Sequence, residues 1–258
     1  MAGHSHWHNI QQKKGKLDQK KGAIFTKMSQ QIILAAREGG GDPEHNLSLK
    51  IAIDNAKAVN MPKDSIERAV LRGSGGGADT QLFKVLYEGF TPHSVPIIIF
   101  AITDSKNRTV GELRTIFSQN NGMFGESGSV SWQFDEVGFV EVRCAKIKKA
   151  EKFGVADEEV AIPSDEVQLD LMDIAGVKDI EVTQNEDGEH CEVVTDMTSL
   201  AQVTQAIKEK GYIVISSSQH FIPQNPVNLT DSQKETVEAF IDKISDQADV
   251  QKFWVALP

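Results

Sequence analysis

The chain is poor in the residues that stabilise or catalyse through covalent chemistry. It has two cysteines in 258 residues, Cys144 and Cys191. Two are too few for a disulfide framework, and these two are far from a CxxC spacing. They read as small, partly buried residues on strands. No apolar run approaches the ~18 residues needed to span a bilayer. The longest, residues 95–102, contains Pro96 and reads as a buried strand. The first twenty residues are polar and basic, without the apolar stretch of a secretory signal. A cytoplasmic protein with no membrane contact is expected. Catalytic signatures are missing as well: no GxSxG, HExxH or GxxxxGK(S/T) occurs. The turn Gly125-Glu126-Ser127-Gly128 is too short for a phosphate loop. The expectation is therefore no enzyme, no cofactor and no small-molecule substrate.

What the chain does have is segregated charge. The net charge is −10, but residues 1–75 carry 12 Lys+Arg against 7 Asp+Glu, and residues 76–258 carry 15 against 30. The front is thus +5 and the remainder −15. Six lysines and one aspartate fall in the first thirty residues. This asymmetry suggests a basic arm or domain that meets a polyanion on one side only.

At about this length single cores stop growing, so two or three domains are expected. In the first third, apolar residues recur at helical spacing from Ile24 through Phe25, Met28, Ile32 and Ala36, and Gly39-Gly40-Gly41-Asp42-Pro43 ends that helix. Asn46 suits the N-cap of a second helix. Pro62 suits the first turn of a third. The glycine-rich stretch 73–77 reads as a flexible linker. From about residue 80 strands and helices alternate. Strands are expected at 85–90, 95–103, 129–134, 138–143 and 212–221. A hairpin over 179–184 and 190–195 turns at Asp187-Gly188. Helices are expected at 109–119, 165–175, 197–210 and 231–244, with Thr109 and Thr230 as N-caps and Gly211 past a helix end. The pattern is α+β and multidomain. It comprises an N-terminal three-helix bundle (residues 1–78) and two α/β sandwiches, and periodicity leaves open whether the last strand and helix return to the first sandwich.

Candidate contact residues follow from charge and position. Lys13, Lys14, Lys16, Lys20, Lys21 and Lys27 form the basic arm. On one helix, Lys13, Lys16, Lys20 and Lys27 fall within an arc of roughly 60°, although Gly15 and Gly22 weaken such a helix. Their alternative role is a solvated face. Arg37, Lys63 and Arg108 extend the set. The loop from Asn60 to Asp64 is expected to expose Met61 and Lys63, as a tight connection or as a probe of RNA. Arg108 beside a helix N-terminus suits a phosphate or an ion pair with Asp104 or Glu112. Trp7 suits packing against the bundle or stacking on a base. His4, His6 and His8 alternate, but no downstream carboxylate–histidine set supports them, and no metal is expected. Neither finger spacing nor a helix-turn-helix turn is present, so binding without base readout is expected.

Several stretches together resemble the YebC family. They are Ala2-Gly3-His4-Ser5 with Trp7, Ile24-Phe25-Thr26-Lys27, and Ala35-Ala36-Arg37-Glu38-Gly39-Gly40-Gly41-Asp42-Pro43. Asn60-Met61-Pro62-Lys63-Asp64, Tyr87-Glu88-Gly89, Asn107-Arg108-Thr109-Val110 and Gly128-Ser129-Val130 with Trp132 complete the match, in order and over essentially the full length. The resemblance implies a helical bundle and two ferredoxin-like α/β sandwiches around a cleft, the third domain (136–211) inserted into the second, which is thereby discontinuous (79–135 and 212–258). It implies a probable DNA-binding transcriptional regulator. Because a mitochondrial relative resembles a translational activator of cytochrome c oxidase, it also implies a translation factor binding ribosomal RNA on the ribosome as the alternative. The chain departs from the family pattern at Thr91-Pro92-His93-Ser94, where the family usually has a glycine-rich turn, at His6, where it often has lysine, and at Asp104-Ser105-Lys106.

Overall fold

The computed structural model describes residues 20–75, 81–148, 158–185 and 188–258. The chain divides into two compact units. Among the described residues, one unit runs from 20 to 134 and returns at Pro223–Pro258; the other lies within Asp135–Ile222. Among the described residues there are seven α-helices and two antiparallel sheets.

The first unit opens with three helices: α1 (Lys20–Gly39), α2 (Leu47–Ala58) and α3 (Lys63–Gly73). Their apolar faces enclose Ile32, Ala36, Leu49, Ala56, Ile66 and Ala69. Asn46 caps α2 as expected: its Oδ1 accepts from the Leu49 amide at 3.1 Å. Its Nδ2 donates to the carbonyls of Ala35 and Gly40 at 2.7 and 2.8 Å. One side chain thus satisfies orphan groups at the end of α1 and the start of α2. Gly40 sits at φ 87°, where its missing Cβ matters.

The same unit continues with β1 (Phe83–Phe90), β2 (Pro96–Thr103), α4 (Lys106–Gln119) and the two-residue β3 (Met123–Phe124). The chain order of the sheet elements resumes after the second unit with α7 (Asp231–Asp246) and β9 (Val250–Val255). The sheet order is β3-β1-β2-β9. β2 is buried along almost its whole length. This accounts for its unbroken apolar run, because α1 also packs against it. Phe117 of α4 and Phe240 of α7 meet edge-on, centroids 4.9 Å apart. Thr230 caps α7 through a complete capping box with Gln233.

The second unit holds β4 (Phe134–Lys148), β5 (Glu158–Ala161), α5 (Ser164–Met172), β6 (Val177–Asn185), β7 (Gly188–Thr195), α6 (Leu200–Glu209) and β8 (Tyr212–Pro223). β8 pairs with β4, which pairs with β7, which pairs with β6, and β5 extends the far end of β4. The chain order βαββαβ with this pairing is the ferredoxin-like arrangement. In the first unit the strands occupy the same relative places, with β1 between β2 and β3. There the interposed strand comes first in the chain rather than third.

Three expectations are corrected. Helix α4 begins at Lys106 with Ser105 before it, so Thr109 is inside the helix and not its cap. Residues 129–134 are not a strand; Ser131–Gln133 form one 3-10 turn before β4. The reason is Glu88, whose buried carboxylate accepts the amides of Gly128, Val130 and Ser131 at 2.7, 2.7 and 2.8 Å. Those N–H groups cannot also serve a ladder. Burial alone raises the Glu88 carboxyl, but the three amides outweigh it and hold the carboxyl below its ordinary value. Finally, β8 belongs to the second sheet, so the chain rejoins the first unit at Pro223 rather than at residue 212.

The turn Thr91-Pro92-His93-Ser94 has left-handed backbone at two positions, His93 at φ 65° and Ser94 at φ 60°. Cys144 and Cys191 lie 3.7 Å apart on neighbouring strands. Burial, reinforced by the neighbouring Cys144, pushes the Cys191 thiol up to about 12. Both behave as apolar packing.

Two helical glycines are expected to respond oppositely to alanine. A Cβ on Gly73 would lie 2.5 Å from the Ile33 carbonyl and 2.6 Å from the Ala36 Cβ, so Gly73→Ala should force α1 and α3 apart and cost about 1–3 kcal/mol. Gly111, inside α4 with nothing within 4 Å, should gain about 0.5–1 kcal/mol as alanine. Urea unfolding of the two variants beside the parent measures both.

Candidate nucleic-acid interface and the joint behind it

The sequence-expected cations fall into distinct groups. Lys13, Lys14, Lys16 and Trp7 lie outside the described residues. Lys20 and Lys21 form the first turn of α1, which contains no acidic residue. Arg37 is exposed in the last turn of α1. Lys63 is 86% exposed and 3.6 Å from Glu67, one turn along α3.

Two expected contacts are otherwise engaged. The Lys27 amine donates to the Ser245 carbonyl near the end of α7 at 2.5 Å. Arg108 is held by carboxylates: Nη1 lies 2.9 Å from Asp104, and Nη2 lies 2.9 and 3.1 Å from the two oxygens of Asp249. Of the partners weighed from the sequence, Asp104 is in contact and Glu112 stands at 4.0 Å. Asp249, 141 positions away, was not foreseen.

Met61 is a correction. It is 5% exposed and sits in the bundle core, not on the loop surface. Asn60, at φ 58°, turns the chain so that Met61 faces inward. The Met61 amide is tied to the Ala56 carbonyl at 2.9 Å.

Asp249 is the centre of what the sequence concealed. Its side chain is 3% exposed. Gln30 of α1 donates to it at 3.0 Å and Thr109 of α4 at 2.7 Å, while Arg108 grips both oxygens. A carboxylate accepts only, so the single Thr109 proton goes to Asp249 and the Thr109 oxygen accepts from Thr103, 2.8 Å away. Gln247 Oε1 takes the amides of Asp249 and Val250 at 2.7 and 2.9 Å, and its Nε2 donates to Glu112 at 2.9 Å. Gln251 links Gln30 and Gln31, at 2.8 and 2.9 Å. Burial raises the Asp249 carboxyl, but the donors Thr109, Arg108 and Gln30 together outweigh it and leave it below the ordinary range. The bundle is therefore docked on the sheet by a polar joint.

Beside the joint a cleft of about 470 Å³ is walled by Phe25, Met61 and Leu82 on one side and by Arg108 and Glu112 on the other. Its carboxylates and the Arg108 guanidinium are occupied with each other. Among the described residues no group of three or more His, Cys, Asp or Glu is placed to hold a metal. No described helix is long and apolar enough to cross a membrane.

Comparison with known proteins covers both ends of the chain. Residues 5–76 match the family model for the TACO1/YebC protein N-terminal domain, and residues 82–257 match that for the TACO1/YebC second and third domain. A probable transcriptional regulatory protein of Caldanaerobacter subterraneus subsp. tengcongensis is 43% identical over 254 residues, covering 98% of this chain and 97% of that one. A second, from Thermoanaerobacter pseudethanolicus, is 39% identical over 254 residues, covering 98% and 96%. The crystal structure of a conserved hypothetical protein from Aquifex aeolicus superposes with a TM-score of 0.75 at 30% identity, covering 98% of this chain and 97% of that one.

Asp249→Asn keeps the shape and removes the charge. It should cost about 2–3 kcal/mol, because Arg108 loses its buried partner, with the half-exposed guanidinium keeping the loss below that of a fully buried pair. The Asp249 carboxyl is depressed in the folded state, so its stabilisation is present above the unfolded value of about 3.9 and fades as pH falls below it. The stability gap between parent and variant should be full at pH 7 and narrow toward pH 3, as read from urea melts at the two pH values.

Proposed function

We propose, from the premise that the chain belongs to the TACO1/YebC family, that it is a non-enzymatic regulator of gene expression that holds nucleic acid by phosphate contacts at the N-terminal end of its helical bundle. The observation that carries this reading is the charge segregation: +5 over residues 1–75 in a molecule that is −10 overall. Regulatory names borne by the similar bacterial proteins support the role.

The contact surface consists of Lys13, Lys14, Lys16, Lys20 and Lys21, with Arg37 and Lys63 as flanking cations. Lys27 and Arg108 stand apart, since their positive charge is already spent on a helix end and on carboxylates. A phosphate at Arg108 would have to displace Asp249. Of the two side chains expected to probe a target from the loop between α2 and α3, Met61 is buried and Lys63 lies near Glu67. Recognition therefore rests on backbone charge and shape. Duplex DNA of a promoter region is the primary target. Phosphate contacts equally suit structured ribosomal RNA, so a translation factor acting through the same lysines is the second reading.

Fluorescence anisotropy on duplex DNA and on structured RNA, from 50 to 200 mM salt, tests the surface. Five phosphate contacts correspond to a log–log slope of about −4.5 on duplex DNA. Changing Lys13, Lys14, Lys16, Lys20 and Lys21 to alanine should flatten that slope on every polyanion, whereas Lys27→Ala should leave it unchanged and lower the melting temperature. An unaltered slope in the five-lysine variant overturns the reading. Ribosome co-sedimentation without any DNA shift would select the translational role.

A further inference from the structure

The cleft beside the Asp249 joint lies wholly inside the first unit and measures about 470 Å³. That is within the range of pockets that hold small organic ligands. Four apolar side chains line it. Phe25 and Leu82 are half-buried, while Ile33 and Met61 belong to the bundle core.

The polar lining is divided by wall. On the bundle side the spare groups are donors. Arg72, in the last turn of α3, has no ion-pair partner among the described residues, and its guanidinium carries five N–H groups. Ser29 of α1 has no hydrogen-bond partner among the described residues. Ser65 of α3 accepts from Arg68 Nη2 at 3.1 Å, which leaves its own proton to give. On the facing side the spare groups are acceptors. Asp104 Oδ1 lies 2.9 Å from Arg108 Nη1, and its Oδ2 has no donor among the described residues. Glu112 Oε2 accepts from Gln247 Nε2 at 2.9 Å, while Oε1 stands 4.0 Å from Arg108 Nε, beyond hydrogen-bond reach. Arg108 and Asp249 neutralise each other. The cleft therefore still offers one cation on one wall and two partly satisfied carboxylates on the other.

We propose that this cleft binds a free amino acid with an apolar side chain, held as a ligand and released unchanged. Its carboxylate pairs with the Arg72 fork, with the Ser29 and Ser65 hydroxyls as further donors. Its ammonium supplies N–H groups to Asp104 and Glu112. Its side chain leaves water against Phe25, Ile33, Met61 and Leu82. Charge selects a zwitterion over a nucleotide, because Asp104 and Glu112 repel phosphate and a nucleotide brings no fixed cation to them. The ligand touches α1 and α3 on one wall and α4 on the other, so its binding reinforces the docking of the bundle that Asp249 specifies. The site uses none of the N-terminal lysines, so its failure would leave the nucleic-acid reading untouched.

The test uses the full-length protein without nucleic acid, by thermal melting and titration calorimetry. L-leucine at roughly a hundredfold excess over its dissociation constant should raise the melting temperature by about 5 °C. Leucinamide lacks the carboxylate and N-acetyl-leucine lacks the ammonium, and each should bind at least tenfold more weakly. Adenosine monophosphate should not displace leucine. Arg72→Gln and Glu112→Gln change exposed side chains, and each should weaken leucine binding at least tenfold with the unliganded melting temperature little altered. Lys57→Gln, on α2 outside the cleft and paired with Asp54, should change affinity less than twofold. Absence of leucine binding, equal binding of leucinamide or N-acetyl-leucine, displacement by adenosine monophosphate, or parent-like affinity in Arg72→Gln or Glu112→Gln would overturn the proposal.

Discussion

A buried carboxylate with no hydrogen of its own can be satisfied only by donors brought to it, and Asp249 is satisfied from three directions. Gln30 comes from the bundle, and Arg108 and Thr109 from the first turn of α4. The carboxylate itself is fixed by the grip of Gln247 on the backbone at the start of β9. Because each donor must meet the carboxylate at hydrogen-bond distance, the joint specifies where α1 lies on the sheet. The apolar contact of α1 with β2 has no such direction. Burial stabilises the docked bundle, and the polar joint selects one docked arrangement. The same constraint explains the Asn-Arg-Thr stretch, whose arginine and threonine serve this carboxylate.

The joint also sorts the cations. A lysine count treats Lys27 and Lys20 alike. In the fold, Lys27 ends against a helix carbonyl of the sheet layer, while Lys20 and Lys21 stand at the opening turn of α1 with no acidic neighbour in that turn. The second unit accumulates carboxylates to the point of placing three in one row.

Local rules were legible where one segment satisfies itself. Asn46, Thr230 and Gly211 were readable as caps because capping involves residues within a few positions of each other. The hairpin turning at Gly188 and the α+β alternation were readable for the same reason. Thr109 misled because a threonine at a strand–helix transition looks like a cap, whereas Ser105 lies before the helix and Thr109 turns inward to Asp249. Residues 129–134 misled because strand-like side chains do not reveal that Glu88, forty positions earlier, has taken their amides.

The order and type of most elements, the separation of charge along the chain and the lack of catalytic and membrane-spanning patterns were determined by the sequence alone, since each depends on composition or on spacing within a helix turn or a strand. The tertiary structure decided which polar groups meet: Arg108 with Asp249, Glu88 with the 128–131 amides, Met61 with the bundle core, and Glu192 between two other glutamates. These pairings join residues tens to hundreds of positions apart or strands that meet only through the sheet's register. No periodicity encodes them, because the cost of leaving a buried polar group unsatisfied arises only once the chain has removed it from water.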